Sequence, residues 1–138
     1  MITDEQTNKV YFSEYLRGYK CWVSIKEALL EHEINFEMLP NTKDIWVRDF
    51  MPIQKDVNSF IGYEYNPDYL KGEQQYITHD VQNCFELTHN NLMKMDVIVD
   101  GGNVIKCDDK VIMTDKVFVE NKEKDREFLQ TVLEESFG

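Results

Sequence analysis

Thr42-Lys43-Asp44-Ile45-Trp46-Val47-Arg48-Asp49-Phe50-Met51-Pro52 is the stretch on which the reading of this chain turns. Ile45-Trp46-Val47 suits a short strand, and Pro52 stops the loop into which that strand runs out. Trp46 and three ionisable side chains, Asp44, Arg48 and Asp49, crowd together there. A second stretch repeats the device: Asp96-Val97-Ile98-Val99-Asp100-Gly101-Gly102-Asn103. Each puts a carboxylate, Asp49 or Asp100, just after a short β-branched run. The expectation is that the two acids face one cationic ligand.

Working outward, 138 residues fit a single domain that buries roughly two-thirds of the surface its unfolded form exposes. Hydrophobic residues at 42% and charged residues at 30% are ordinary for a globule, but 26 acids against 15 bases, net −11, are not. Such a surface repels phosphate backbones and anionic lipid, which argues against nucleic acid and membrane as partners. It attracts cations only weakly at range, because physiological salt screens beyond about 8 Å. Plain solubility is the preferred account of the charge. No apolar run approaches the ~20 residues of a spanning helix, and Met1-Ile2-Thr3-Asp4-Glu5 has no signal-peptide character. Cys21, Cys84 and Cys107 cannot all pair within the chain, and no Cys-x-x-Cys occurs, so a reduced, cytoplasmic protein is expected.

Periodicity predicts a strand over 9–13 and an amphipathic helix from Cys21 to His32, with Trp22, Ile25, Ala28 and Leu29 on one face. Ile34, Phe36 and Met38 alternate as a half-buried strand closed by Leu39-Pro40-Asn41. Phe60 to Tyr65 reads as a strand, and Ile77, Val81, Cys84, Phe85 and Thr88 as a second helix. Val97-Ile98-Val99 reads as a strand covered on both faces. Val104 to Cys107 and Lys110 to Met113 flank a hairpin turn, Val117-Phe118-Val119 is extended, and Phe128, Leu129, Val132 and Leu133 mark a third helix. The first two helices each lead into a strand and then an acid, a weak internal repeat with modules near 9–65 and 76–138. An α/β module normally sends its helix back to the sheet, so the third helix reads as a repeat cut in the middle.

The string Asp44-x-Trp46-x-Arg48-Asp49-x-x-Pro52, followed by Asp100-Gly101-Gly102-Asn103, resembles the agmatine deiminase and bacterial peptidylarginine deiminase family. These are guanidino-group-modifying enzymes of the pentein fold, and the resemblance runs from Val10 to Asn121. It implies an α/β fold that is part of an α/β propeller, about two of five ββαβ modules. It also implies a hydrolase that turns a guanidino group into a ureido group and ammonia through a cysteine adduct. By position Asp49 is similar to the family's guanidinium-binding aspartate. Asp100 falls where many members carry the Glu of a Glu-Gly-Gly motif. Trp46 and Arg48 match substrate-pocket and structural positions. The family's His-x-Asp motif is missing from this sequence, and so is a cysteine in a Gly-rich C-terminal stretch. The chain therefore reads as the N-terminal part of a longer protein.

The residues themselves fit that chemistry. Two ionised carboxylates can each accept parallel N–H bonds from a planar guanidinium, keeping it cationic and fixed for attack without metal or cofactor. Asp49 and Asp100 are the candidate catalytic and substrate-binding acids, with Trp46 as a ring platform or a core residue and Asn103 as a loop-orienting amide. Arg48 is expected to point away and pair with an acid such as Asp44, since a fixed cation opposes a cationic substrate. Gly101 and Gly102 allow a close backbone approach. The competing readings are that Asp49 pairs with an internal base and that Asp100 only caps a turn. None of the three cysteines is a convincing nucleophile. His32, His79 and His89 lack a metal-ligand spacing, and Asp108-Asp109 with Asp115 reads as a solvated turn. Two functions follow. One is the cation-holding half of a deiminase acting on agmatine, a similar small guanidino compound or peptidyl arginine, inactive alone. The other is a non-catalytic acidic binding or assembly module, a half-propeller that oligomerises or pairs with a missing C-terminal half.

Overall fold

A computed structural model describes residues 2–79, 81, 91–107 and 109–138. Among these residues it is a mixed α/β structure of several small sheets with no closed barrel. Strand β1 (Val10–Ser13) runs through a short 3-10 turn into helix α1 (Trp22–Glu31), which returns to strand β2 (Phe36–Leu39), parallel to β1. A parallel pair needs such a crossover, and α1 supplies it. Trp22 on α1 packs edge-on against Phe12 and Phe36 at 5.7 and 5.8 Å between ring centroids, clamping helix to strands. Glu33, at φ 52°, takes the left-handed conformation that ends α1, and the Ile34 N–H returns to the Leu29 carbonyl at 2.8 Å. Ser13 ends β1 by accepting the Tyr15 N–H and sharing a 2.7 Å hydrogen bond with buried Thr42.

Next come a one-turn helix α2 (Val47–Phe50), strand β3 (Ile53–Gln54) and strand β4 (Phe60–Glu64). β4 pairs antiparallel with β3 and parallel with β5 (Leu92–Ile98). Both parallel pairs therefore end at an acid-bearing turn: β2 leads to Asp49, and β5 leads to Asp100. The hairpin β6 (Ile105–Cys107) and β7 (Lys110–Ile112), the short helix α3 (Lys116–Glu120) and helix α4 (Arg126–Phe137) complete the chain. Asp125 caps α4 by accepting the Glu127 and Phe128 N–H groups. One core gathers Ile61, Val97, Val99, Val117 and Leu129. The other holds Leu39, Val47, Phe50, Tyr65 and Ile77, and Tyr63 packs against both. Among the described residues no helix is long and apolar enough to cross a membrane.

Four expectations are corrected. Residues 45–47 are not a strand: Val47 opens α2, where Val47 and Phe50 stand one helical turn apart and both bury in the second core. Val117-Phe118-Val119 is helical for the same kind of reason, since Val117 and Asn121 are both buried four positions apart. Ala28 is exposed, so the inward face of α1 is narrower than its spacing implied. Strand β5 begins at Leu92, five residues before the apolar triplet, and its first half, with Met93 and Lys94 both exposed, lacks the apolar run that marked the triplet. The predicted second helix lies outside the described residues except for Ile77 and Val81.

Asn121 joins α3 to β5. Its Oδ1 accepts the Ile98 N–H at 2.9 Å, and its Nδ2 donates to the Ile98 and Val117 carbonyls at 2.8 Å each. The side chain stands in for a neighbouring strand just before Asp100. Asn121→Ala leaves those groups unpaired in a buried place, and chemical denaturation should register a loss of about 2–3 kcal/mol. A loss below about 0.5 kcal/mol would show that the side chain is dispensable.

Candidate functional site: a pair of facing carboxylates

Asp49 lies in α2, whose single turn is held by the Met51 N–H bonded to the Val47 carbonyl at 2.9 Å. The Tyr63 hydroxyl donates to the Met51 and Asp49 carbonyls, at 2.7 and 3.0 Å, and so fixes the backbone on both sides of the Asp49–Met51 segment. Asp100 follows β5 and opens a 3-10 turn, Gly101–Asn103, in which its Oδ1 accepts the Gly102 N–H at 3.0 Å. It does cap a turn, as the plainer reading held. The two turns are packed together, and the glycines are the reason this is possible. A Cβ on Gly101 would fall 2.2 Å from the Arg48 carbonyl oxygen and 2.2 Å from the Tyr63 hydroxyl. A Cβ on Gly102 would fall 2.5 Å from Asp49 Oδ1 and 3.1 Å from Asp100 Oδ1. Both carboxylates therefore stand over one glycine, near enough to share a hydrogen bond.

That proximity has an electrostatic cost. Burial pushes the Asp49 carboxyl up to about 6, and the charge of Asp100, the hydrogen bond to it and the charge of Asp44 add to the shift, against a small opposing effect from Lys116. Two anions at contact repel, and one shared proton relieves the repulsion. Among the described residues no base lies within ion-pair distance of Asp49. Asp100 has one, since Lys116 Nζ is 3.5 Å from its Oδ2. The Tyr69 hydroxyl also donates to Asp100 Oδ2 at 3.3 Å, with the Tyr65 hydroxyl 3.1 Å behind it. Burial, the hydrogen bond to Tyr65 and the Asp100 charge push the Tyr69 hydroxyl well above its ordinary value, so it remains a donor.

The other sequence candidates divide. Arg48 points away from the acids as expected, but it pairs with Asp4 at 3.5 Å and bonds the Val104 carbonyl at 3.2 Å, not Asp44. Asp44 instead caps the next backbone N–H, that of Ile45, and adds negative charge near Asp49. Trp46 is 63% exposed and is no core residue. Asn103 anchors the loop, its Oδ1 accepting the Thr114 N–H and hydroxyl at 3.0 and 2.9 Å. A cleft of about 390 Å³ is lined by Arg48, Lys106, Tyr11, Phe60 and Val104, and by neither acid of the pair. Cys21 and Cys107 are exposed free thiols, and Cys84 lies outside the described residues. Among the described residues no three His, Cys, Asp or Glu side chains are grouped to hold a metal ion.

Sequence reasoning missed Tyr63, whose hydroxyl holds the Asp49 backbone, Tyr65 and Tyr69, which lead by hydrogen bonds to Asp100, and Lys116 with its neighbour Glu120. The available signal was three tyrosines within seven positions, 63 to 69. Nothing local marked Lys116. No protein-family model matches the chain, and no curated protein is significantly similar to it.

Asp49 makes a clear stability signature. Its folded value of about 6 lies above the ordinary carboxylate value, so its stabilising contribution is complete below about pH 4 and disappears as pH rises through about 6. Two pH units amount to nearly 3 kcal/mol, and solvent screening of this half-open group reduces that to roughly 1 kcal/mol. Asp49→Asn should match the native chain near pH 4 and exceed it by that amount at pH 7.5 in urea melts. Equal destabilisation at both pH values would mean that the carboxylate is a structural partner.

Proposed function

We propose that the Asp49–Asp100 pair binds the guanidinium of a small arginine-like compound or of a peptidyl arginine. The observation that carries this reading is a pair of carboxylates brought together from distant turns, one of them lacking a base. A folded protein rarely keeps such repulsion without a use. A guanidinium supplies what the pair lacks: a delocalised positive charge and N–H groups in a plane, able to meet both acids once the shared proton has left. Trp46, exposed beside Asp44, offers a face for the same cation. In the deiminase reaction the resemblance points to, the acids keep the guanidinium charged and oriented while a thiolate attacks its central carbon and ammonia leaves. This chain supplies the holding acids. In this reading a complete α/β propeller of the pentein kind would supply the thiolate and the His-x-Asp group.

Calorimetric titration with agmatine and with Nα-acetyl-arginine amide tests the binding. We expect binding at pH 8, about tenfold weaker at pH 5 because Asp49 must then give up a proton to the solvent, and a loss of at least about tenfold in Asp49→Asn and in Asp100→Asn. No heat from either compound at pH 8 overturns the reading. Ammonia release by the native chain alone, lost when all three cysteines are replaced, would overturn the assignment of the thiolate to another source.

A second reading, an assembly module without chemistry, draws on the hairpin. Among the described residues its sheet has two strands, and Ile105 and Ile112, paired across them, are 55% and 56% exposed, an apolar face suited to a second copy of this chain. Light scattering after size exclusion separates the readings: a concentration-dependent dimer lost in Ile112→Lys supports assembly, and a monomer at every concentration removes it.

A further inference from the structure

We propose that Lys116 is a positioning residue that assigns the proton shared by the two carboxylates to Asp49, by holding its ammonium against the outer oxygen of Asp100. The inference takes its ligand from the cation-binding reading above, whereas the role of Lys116 is argued from its placement on Asp100 and not on Asp49.

Lys116 is not a loose surface lysine. Its Nζ lies 3.3 Å from Glu120 Oε1, 3.5 Å from Asp100 Oδ2 and 3.7 Å from Asp68 Oδ1, and 4.5 Å from the centre of the Tyr69 ring. Glu120 is itself tied, since its Oε1 accepts the Asp68 N–H at 3.1 Å. Acids from three segments and one aromatic face therefore fix the ammonium in place. Burial alone would lower its proton affinity, but Glu120, Asp100 and Asp68 outweigh that, so it stays charged wherever Asp49 titrates.

The consequence is an asymmetric pair. Asp100 Oδ2 meets a cation and a tyrosine hydroxyl, and Oδ1 meets a backbone N–H, all donors that favour a carboxylate. Asp49 faces Asp100 and Asp44 with no base in contact, and Arg48 beside it is turned toward Asp4. The remaining groups around the pair, Tyr63, Tyr65 and Tyr69, are held neutral by burial. Asp100 is thus the acid held by donors, and Asp49 is the one that exchanges its proton for the incoming cation.

A lysine that merely braced α3 against the 68–70 turn would affect stability and nothing else, so the test reads protonation directly. Side-chain carboxyl NMR titration of the 138-residue chain should find the Asp49 midpoint near 6 in the native sequence. In Lys116→Met we expect that midpoint to rise by about 0.5–1 unit. Lys116→Arg should restore the native curve. Where Lys116→Met does not fold, Lys116→Gln, which keeps the bond to Glu120, should give the same shift. Midpoints unchanged within about 0.2 unit in the neutral variants overturn the inference. Agmatine titrations of the same variants separate it from the broader reading. A shifted midpoint without agmatine binding leaves the proton assignment standing and removes the cation site, and agmatine binding with an unshifted midpoint does the reverse.

Discussion

The site depends on how closely two pieces of backbone can approach. The Arg48 carbonyl and the Tyr63 hydroxyl occupy the space that any side chain on residue 101 would need, and Asp49 Oδ1 occupies that of residue 102. With side chains at those positions, the turn after β5 would stand off from α2 and the two carboxylates would separate. Tyr63 is the pivot. It belongs to β4, packs against both cores, and spends its hydroxyl on the backbone that presents Asp49. Apolar packing and backbone hydrogen bonding thus hold together two charges that would otherwise move apart.

The arrangement stores electrostatic strain in a chain whose net charge is already −11. The distant charges contribute little, because salt screens them over about 8 Å, but Asp44 and Asp100 are near enough to act on Asp49 directly. Only part of this is relieved internally. Lys116 compensates Asp100, and no base among the described residues lies in contact with Asp49. An incomplete compensation of this kind is what a cation-binding site requires, since a fully paired acid offers an incoming cation no gain over the base it already has.

The tyrosines and Lys116 extend the site beyond the two acids. Tyr65, Tyr69 and Asp100 form a line of hydrogen bonds, and the Lys116 ammonium rests on the Tyr69 ring that closes it. Asn121, at the other end of α3 from Lys116, bonds the strand that leads to Asp100. Helix α3 is therefore fixed to both ends of the same short segment, which limits how far the Lys116 ammonium and the Asp100 carboxylate can drift apart.

Local pattern was enough to read α1, β1, β2, β4, the β6–β7 hairpin and α4 from the sequence, because in each the apolar residues either share a helical spacing or form a short run bounded by turn residues. The same rule misread 45–47 and 117–119, where three apolar residues fit either period and tertiary burial chose the helical one. The sequence also named the two acids and the two glycines, since carboxylates after short strands and paired glycines are visible as residues. What no local pattern contained was the partner of each charge. Arg48 went to Asp4 rather than Asp44, and Asp100 drew Lys116 from a helix of its own. Ion pairing acts through space over a few ångströms, whereas sequence patterns report only neighbours along the chain, so that choice waited on the fold.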